Sequence, residues 1–236
     1  MSNDLIRLLQ GSKTRELFKK LYGGDGDGID KQVSRYKSLL DRFNENFPDA
    51  KNSIQIFSTS GRTEVGGNHT DHNAGRVLAA AVSFDTIAAV EKTDDNKIIL
   101  YSEGYPEVFE VDLYSLEPVE EERETTTALI RGTAARFHEL GYSIGGFRAY
   151  ISSSVARGSG LSSSASIEVL LGTILNTLYN DGEMDAPLLA KIGQYAENVY
   201  FGKPCGLMDQ MACSVGGFIT IDFKDSENPV IRKVDF

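Results

Sequence analysis

The sequence predicts a mixed α+β fold. Three observations carry that expectation. Apolar residues near the N-terminus recur at helical spacing, a middle stretch is a series of short β-rich runs, and the closing half alternates helical runs with single strands. The resulting order of elements is α, several β, then α, β, α, α, β, which is not a regular βαβ series.

The elements follow in order. Residues 4–22 read as a short helix, stopped by the acidic glycine run Gly23–Gly28. That run resembles a calcium loop only in composition. Counting from Asp25, the twelfth position is Tyr36 where a bidentate glutamate is needed, so the run is a flexible turn. Ile29, Val33, Tyr36, Leu40, Phe43 and Phe47 then step by three and four, the apolar stripe of an amphipathic helix. Strands are expected at 54–57, 77–82, 86–90, 97–101 and 107–111, separated by turn residues such as Asp94–Asn96 and Glu103-Gly104. Residues 119–124 form an acidic, solvated loop. Leu129, Thr133, Phe137 and Leu140 mark a helix that ends at Gly141. Residues 145–155 read as a strand. Residues 162–178 are apolar nearly all round and predict a buried helix, and residues 187–201 a third helix. The runs 218–223 and 230–234 form a strand pair about the Asp225–Asn228 turn. No internal repeat or low-complexity tract is present.

Composition narrows the function. The 236 residues are 41% hydrophobic and 25% charged, ordinary for a globular protein, and the net charge of −10 argues against a nucleic-acid partner, which needs a basic stripe. No apolar window reaches the ~18 residues of a membrane span. The N-terminus lacks a charged region followed by a cleavage site, so a cytoplasmic location is expected. Cys205 and Cys213 have no second pair with which to build a zinc site, and free thiols in a reducing compartment are expected.

One segment carries chemistry by itself. Gly158-Ser159-Gly160-Leu161-Ser162-Ser163-Ser164-Ala165 follows a strand and opens the buried helix. Glycines let a backbone approach a ligand, and the unpaired amides of a helix start favour an anion. One serine suffices to cap a helix, and here three follow Gly-x-Gly, so phosphate binding is the stronger reading. The loop is not a Walker A sequence, since no Gly-Lys-Ser/Thr follows, and it lacks the third glycine of a dinucleotide fingerprint.

Three segments together resemble the galactokinase branch of the GHMP small-molecule kinases. The first is Gly61-Arg-Thr-Glu-Val-Gly-Gly-Asn-His-Thr-Asp-His-Asn73. The second is Gly158 to Ser166. The third is Ala196-Glu197 followed by Cys205-Gly-Leu-Met-Asp-Gln210. They occur in family order and cover most of residues 50 to 223. The resemblance implies an N-terminal lobe with the ribosomal protein S5 domain 2-like fold, a mixed sheet with helices packed on one face. That lobe would span residues 51–236, preceded by a helical segment at 1–50.

By resemblance the reaction is ATP-dependent phosphorylation of a sugar at its anomeric hydroxyl, with galactose favoured. Asp209 matches the base, with Arg62 beside it. Gly158, Ser159, Gly160, Leu161, Ser162, Ser163 and Ser164 match the ATP loop. Ser164 and Glu197 match the Mg²⁺ ligands. Glu64, Asn68, His69, Asp71, Gly206 and Asp209 fall on the sugar site.

Departures bear on the sugar. Asn68 stands where the family has glutamate and Glu64 where it has asparagine, an exchange of carboxylate and amide that keeps a related substrate open, such as N-acetylgalactosamine or a uronic acid. Ser60 and Ala156 replace prolines, and His72 replaces tyrosine. A non-catalytic sugar and ATP sensor is the alternative outside enzymes. The His69-Thr70-Asp71 signature argues against mevalonate or homoserine as substrate. Family enzymes carry a second lobe, so a missing C-terminal lobe and weak or absent turnover of this chain by itself are expected.

Overall fold

The computed structural model describes residues 2–235; Met1 and Phe236, the outer ends of the two expected segments, lie outside the described residues. Chain order is α1 (Ser2–Gln10), α2 (Ser12–Tyr22), α3 (Gly26–Asn46), β1 (Ile54–Gly66), β2 (Arg76–Lys92), β3 (Lys97–Ser102) and β4 (Val108–Asp112). It continues with α4 (Thr126–Glu139), β5 (Phe147–Ser153), α5 (Ser163–Tyr179), α6 (Ala186–Tyr195), α7 (Met208–Val215), β6 (Phe218–Asp222) and β7 (Val230–Val234).

Strand β2 organises a seven-stranded mixed sheet ordered β4-β3-β5-β2-β6-β7. Strand β1 pairs with β2 antiparallel from Ile54↔Glu91 to Gly66↔Leu78. On its other edge β2 pairs with β5 through Thr86–Lys92 and with β6 through Arg76–Ala80. The β3–β5 pair is parallel and the remaining pairs are antiparallel.

Period-two alternation divides the sheet between two layers. Ala88, Val90, Ala149 and Ile151 join a core with Leu129, Phe137, Leu170 and Ile174, so α4, α5 and α6 lie on one face as expected for the lobe. Ile87, Ala89 and Tyr150 point the other way, onto Leu39, Leu40 and Phe43. The N-terminal helices therefore cover part of the opposite face. Phe43 is fully buried there, and its truncation to alanine costs about 3–5 kcal/mol by the usual cavity penalty. Beneath the first half of β2, α7 packs Met208, Met211 and Ala212 against Val77, Ala79 and Ile219.

Several boundaries differ from expectation for physical reasons. The helix expected over 4–22 breaks at Gly11, whose N–H bonds back to Leu8 and whose extended backbone opens α2. The strands expected at 77–82 and 86–90 are one strand, because Asp85 between them is held by Arg35, Tyr22 and Ser58. Strand β1 runs on past Phe57 to Gly66, since backbone pairing with β2 continues where the side-chain pattern fades. The helix expected over 187–201 stays α-helical only to Tyr195 and then widens into a π-helical turn at Ala196–Phe201. Helix α7 was not anticipated; its eight residues are too few to display a period. The expected end of α4 stands: Gly141 takes φ +81°, and the Tyr142 N–H reaches back to the Phe137 carbonyl.

Candidate active site

Two motifs far apart in sequence meet at Arg62. Strand β1 slips register between Ser60 and Arg62, which turns Arg62 inward, where it is almost fully buried. Gly61 permits this approach: a Cβ there would lie 2.8 Å from the Leu161 carbonyl oxygen. The Arg62 N–H donates to that same carbonyl at 3.0 Å. Its guanidinium grips Asp209 at both oxygens, Nε to Oδ1 at 2.7 Å and Nη2 to Oδ2 at 2.6 Å, and its Nη1 donates to the Gly160 carbonyl at 2.5 Å. This fork is the strong geometry for an arginine–carboxylate pair. Asp209 sits in the first turn of α7 and also accepts a hydrogen bond from the Ser162 hydroxyl.

The start of α5 is left open. Ser162 occupies the cap position but its hydroxyl makes no capping bond, being turned to Asp209. Its φ of +59° is a left-handed conformation that costs a non-glycine residue about 1 kcal/mol or more. Gly158 and Gly160, at φ +72° and +76°, have no neighbour in the way of a Cβ, so backbone conformation is their requirement. The Ser159 hydroxyl stays within the loop, donating to the Ala156 carbonyl at 2.6 Å. Ser163 and Ser164 line a cavity of about 410 Å³ whose walls include Phe109, Leu129, Ile167 and Phe201.

Behind the loop lies a buried carboxylate pair. Gln210 Nε2 donates to Glu168 Oε2 and to Glu197 Oε2, both at 2.9 Å. All three residues are buried. Burial, reinforced by the Glu197 carboxylate, pushes Glu168 well above the usual carboxylate range. Burial, then Glu197, likewise pushes the Cys205 thiol up. Glu197 lies on the π-helical turn, and its Oε1 is approached by Lys203 Nζ at 3.9 Å. Glu168 follows Ser164 by one helical turn, so the two share a side of α5. Glu197 is thus linked to α5 through Glu168 and not directly through Ser164. Among the described residues no cluster of three or more His, Cys, Asp or Glu side chains forms a ready-made metal centre. A serine hydroxyl and a carboxylate whose Oε1 meets Lys203 only at 3.9 Å suit a hard cation that keeps waters and phosphate oxygens in its shell.

The remaining expected residues form a separate group. Asn68 and His69 both take left-handed backbone, at φ +53° and +49°, and are exposed. Glu64 holds that turn, accepting from the His69 N–H at 3.0 Å and contacting the imidazole Nδ1. Asp71 is buried; its Oδ2 accepts from the Met208 N–H at 3.2 Å. Gly206 faces it so closely that an added Cβ would stand 1.7 Å from Oδ2.

The sequence reading missed Glu168, Gln210 and the cavity beside Ser163 and Ser164. Glu168 had a visible signal, being the only charge in the otherwise apolar run of α5. Gln210 stood inside a recognised motif without a role. The cavity had no signal, because its walls come from distant segments.

Comparison with known proteins bears on this geometry. The pattern described as the GHMP kinases N terminal domain matches residues 128–217, which contain the glycine–serine loop, Glu197 and Asp209. Residues 128–217 thus resemble a GHMP kinase N-terminal domain. The galactokinase galactose-binding signature matches residues 41–92, including the whole segment from Gly61 to Asn73. Among similar GHMP proteins are the galactokinases of Clostridium tetani, 37% identical over 70% of this chain and 41% of that protein, and Lacticaseibacillus casei, 38% identical over 74% and 44%. The crystal structure of Lactococcus lactis galactokinase complexed with galactose superposes with a TM-score of 0.74 at 32% identity, over 83% of this chain and 50% of that one. Methanococcus jannaschii mevalonate kinase shares the fold, with a TM-score of 0.63 at 20% identity. The chain spans about half the length of the relatives it matches.

Proposed function

We propose that this chain is the sugar- and ATP-binding part of a sugar-1-kinase, with galactose as the favoured acceptor, and that residues 51–236 form that lobe behind a helical segment at 1–50. One observation carries the reading. The Arg62–Asp209 ion pair is bonded to Gly160 and Ser162, so the two residues assigned to the chemistry meet two of those assigned to ATP at one point.

Phosphoryl transfer is mainly positioning and charge stabilisation. The anomeric hydroxyl of the sugar attacks the γ-phosphorus, the bond to the β-phosphate oxygen breaks, and ADP leaves. Asp209 takes the hydroxyl proton, and Arg62, fixed by its fork, stabilises the negative charge that develops. Gly158 to Ser164 hold the triphosphate with the open amides of α5, and the cavity beside them, walled in part by Phe109, Leu129, Ile167 and Phe201, receives the base. Ser164 and Glu197 would hold Mg²⁺, which would supply neutralising charge to the phosphate oxygens.

For the sugar, Asp71, His69, Asn68 and the close backbone at Gly206 supply hydroxyl contacts. Glu64 is engaged with His69, so the exchange of carboxylate and amide between 64 and 68 need not add a charge that faces the ligand. This supports a neutral hexose over a uronic acid or a cationic amino sugar. The two cysteines are free thiols, in keeping with a cytoplasmic setting. No described helix is long and apolar enough to cross a membrane.

The test is a coupled ADP-release assay over a panel of monosaccharides, run on a two-lobed protein that includes this lobe, since this chain by itself is expected to turn over weakly or not at all. ADP release greatest with galactose supports the reading. Binding of galactose and ATP without ADP release, for any sugar, replaces it with a sensor. Preference for N-acetylgalactosamine or a uronic acid moves the assignment to that substrate.

A further inference from the structure

The buried carboxylate pair is held together by a bridge. The Gln210 amide nitrogen donates to two different carboxylates, one on α5 and one on the π-helical turn, and also reaches Cys205 Sγ at 3.5 Å. Gln210 is fully buried and sits next to Asp209 at the start of α7. Its Oε1 and Glu168 Oε1 are both buried without a hydrogen-bond partner. Such groups are costly unless the arrangement serves a purpose. A simple core would place apolar residues here, and Glu168 is the only charged side chain of α5.

We propose that Gln210 is a positioning residue. Anchored on Glu168, its amide fixes one oxygen of Glu197 and so turns the other, Oε1, toward a divalent cation. This rests on the reading of Glu197 as a metal ligand. The physical reason is that a carboxylate ligand free to rotate loses affinity, and that a hydrogen bond to its outer oxygen sets its orientation. The π-helical turn gives Glu197 an irregular backbone, so the helix alone does not set its direction. Helix α5 is the rigid reference: Glu168 is fully buried on it, one turn beyond the serines of the phosphate loop. The bridge therefore ties the metal ligand to the same helix whose start holds the phosphates.

The test measures how much Mn²⁺ tightens the binding of a non-hydrolysable ATP analogue to the full chain. Calorimetric affinities are taken with Mn²⁺ and with EDTA, and their ratio is the readout. Damage confined to the nucleotide site shifts both affinities and leaves the ratio unchanged. Gln210→Met and Glu168→Met are each expected to lower the ratio by about tenfold or more, the usual cost of losing an outer-shell partner. Glu168→Gln keeps an acceptor for the Gln210 amide and is expected to keep the ratio of the unsubstituted chain. Glu168→Met exchanges a buried carboxylate for an apolar chain of similar length, so it decides the question should Gln210→Met not fold. Ratios unchanged in both methionine variants, while Glu197→Gln abolishes the effect, overturn the positioning role alone. A loss in Glu168→Gln equal to that in Glu168→Met overturns it in favour of simple charge. An unchanged ratio in Glu197→Gln removes the metal-ligand reading, and the inference with it.

Discussion

Helices α5 and α6 lie in the same layer and begin in opposite ways. Helix α6 is closed: the Asp185 side chain accepts from the Leu188 N–H at 2.9 Å, and Pro187 fills a first-turn position where an N–H would go unpaired. Helix α5 is open: its cap residue is strained into left-handed backbone, and its hydroxyl serves Asp209. A helix start that satisfies its own amides is finished as structure. One that leaves them bare, at the cost of local strain, is open to an anion from outside, the role proposed for α5.

The comparison can be broken at the partner of the open cap. Asp209→Asn should lower turnover by about 10²–10⁴-fold, the usual contribution of a positioned base, with the fold kept. Steady-state kinetics at saturating sugar and ATP check this, and a loss under tenfold would remove Asp209 from the chemistry. Charging the cap is the next largest effect. Ser162→Asp sets a carboxylate against Asp209 and the bare amides, and nucleotide affinity should fall on the order of a hundredfold by like-charge repulsion. Calorimetric titration of ATP measures it.

Smaller changes sharpen the contrast. Ser162→Gly relieves the left-handed strain and should raise stability by about 1 kcal/mol while turnover drops. Denaturant unfolding read beside the assay tests whether the two move in opposite directions. Asp185→Ala should do the reverse, lowering stability by about 1 kcal/mol and leaving nucleotide affinity untouched. A change in ATP binding there would mean that the two helix starts are not separable.

Much of this was legible in the sequence because it is local. The glycine–serine loop announces its own geometry, and the stripe from Ile29 to Phe47 places α3 without reference to anything else. The rest depends on partners. Asp85 reads as a strand breaker until Arg35, Tyr22 and Ser58 are brought to it, so β2 was divided in two. Glu168 reads as a stray charge on an apolar helix until Gln210 arrives from 42 residues away. Helix α7 is too short to show a period, and its register is set by packing on β2. At the candidate site, residue types were visible, but the meeting of Arg62 with Gly160 and Ser162 depends on a register slip that no spacing rule encodes.

The close approach of Gly206 to Asp71 has a consequence for how this lobe can vary. Gly206 does not adopt left-handed backbone, so conformation would admit other residues there. Space alone forbids them, since the first added carbon meets the Asp71 carboxylate. Positions 71 and 206, 135 residues apart, are therefore constrained as a pair. In a combinatorial library, side chains larger than glycine at 206 should survive only beside a shortened residue at 71, a reciprocal epistasis that sequence drift at either position alone cannot cross.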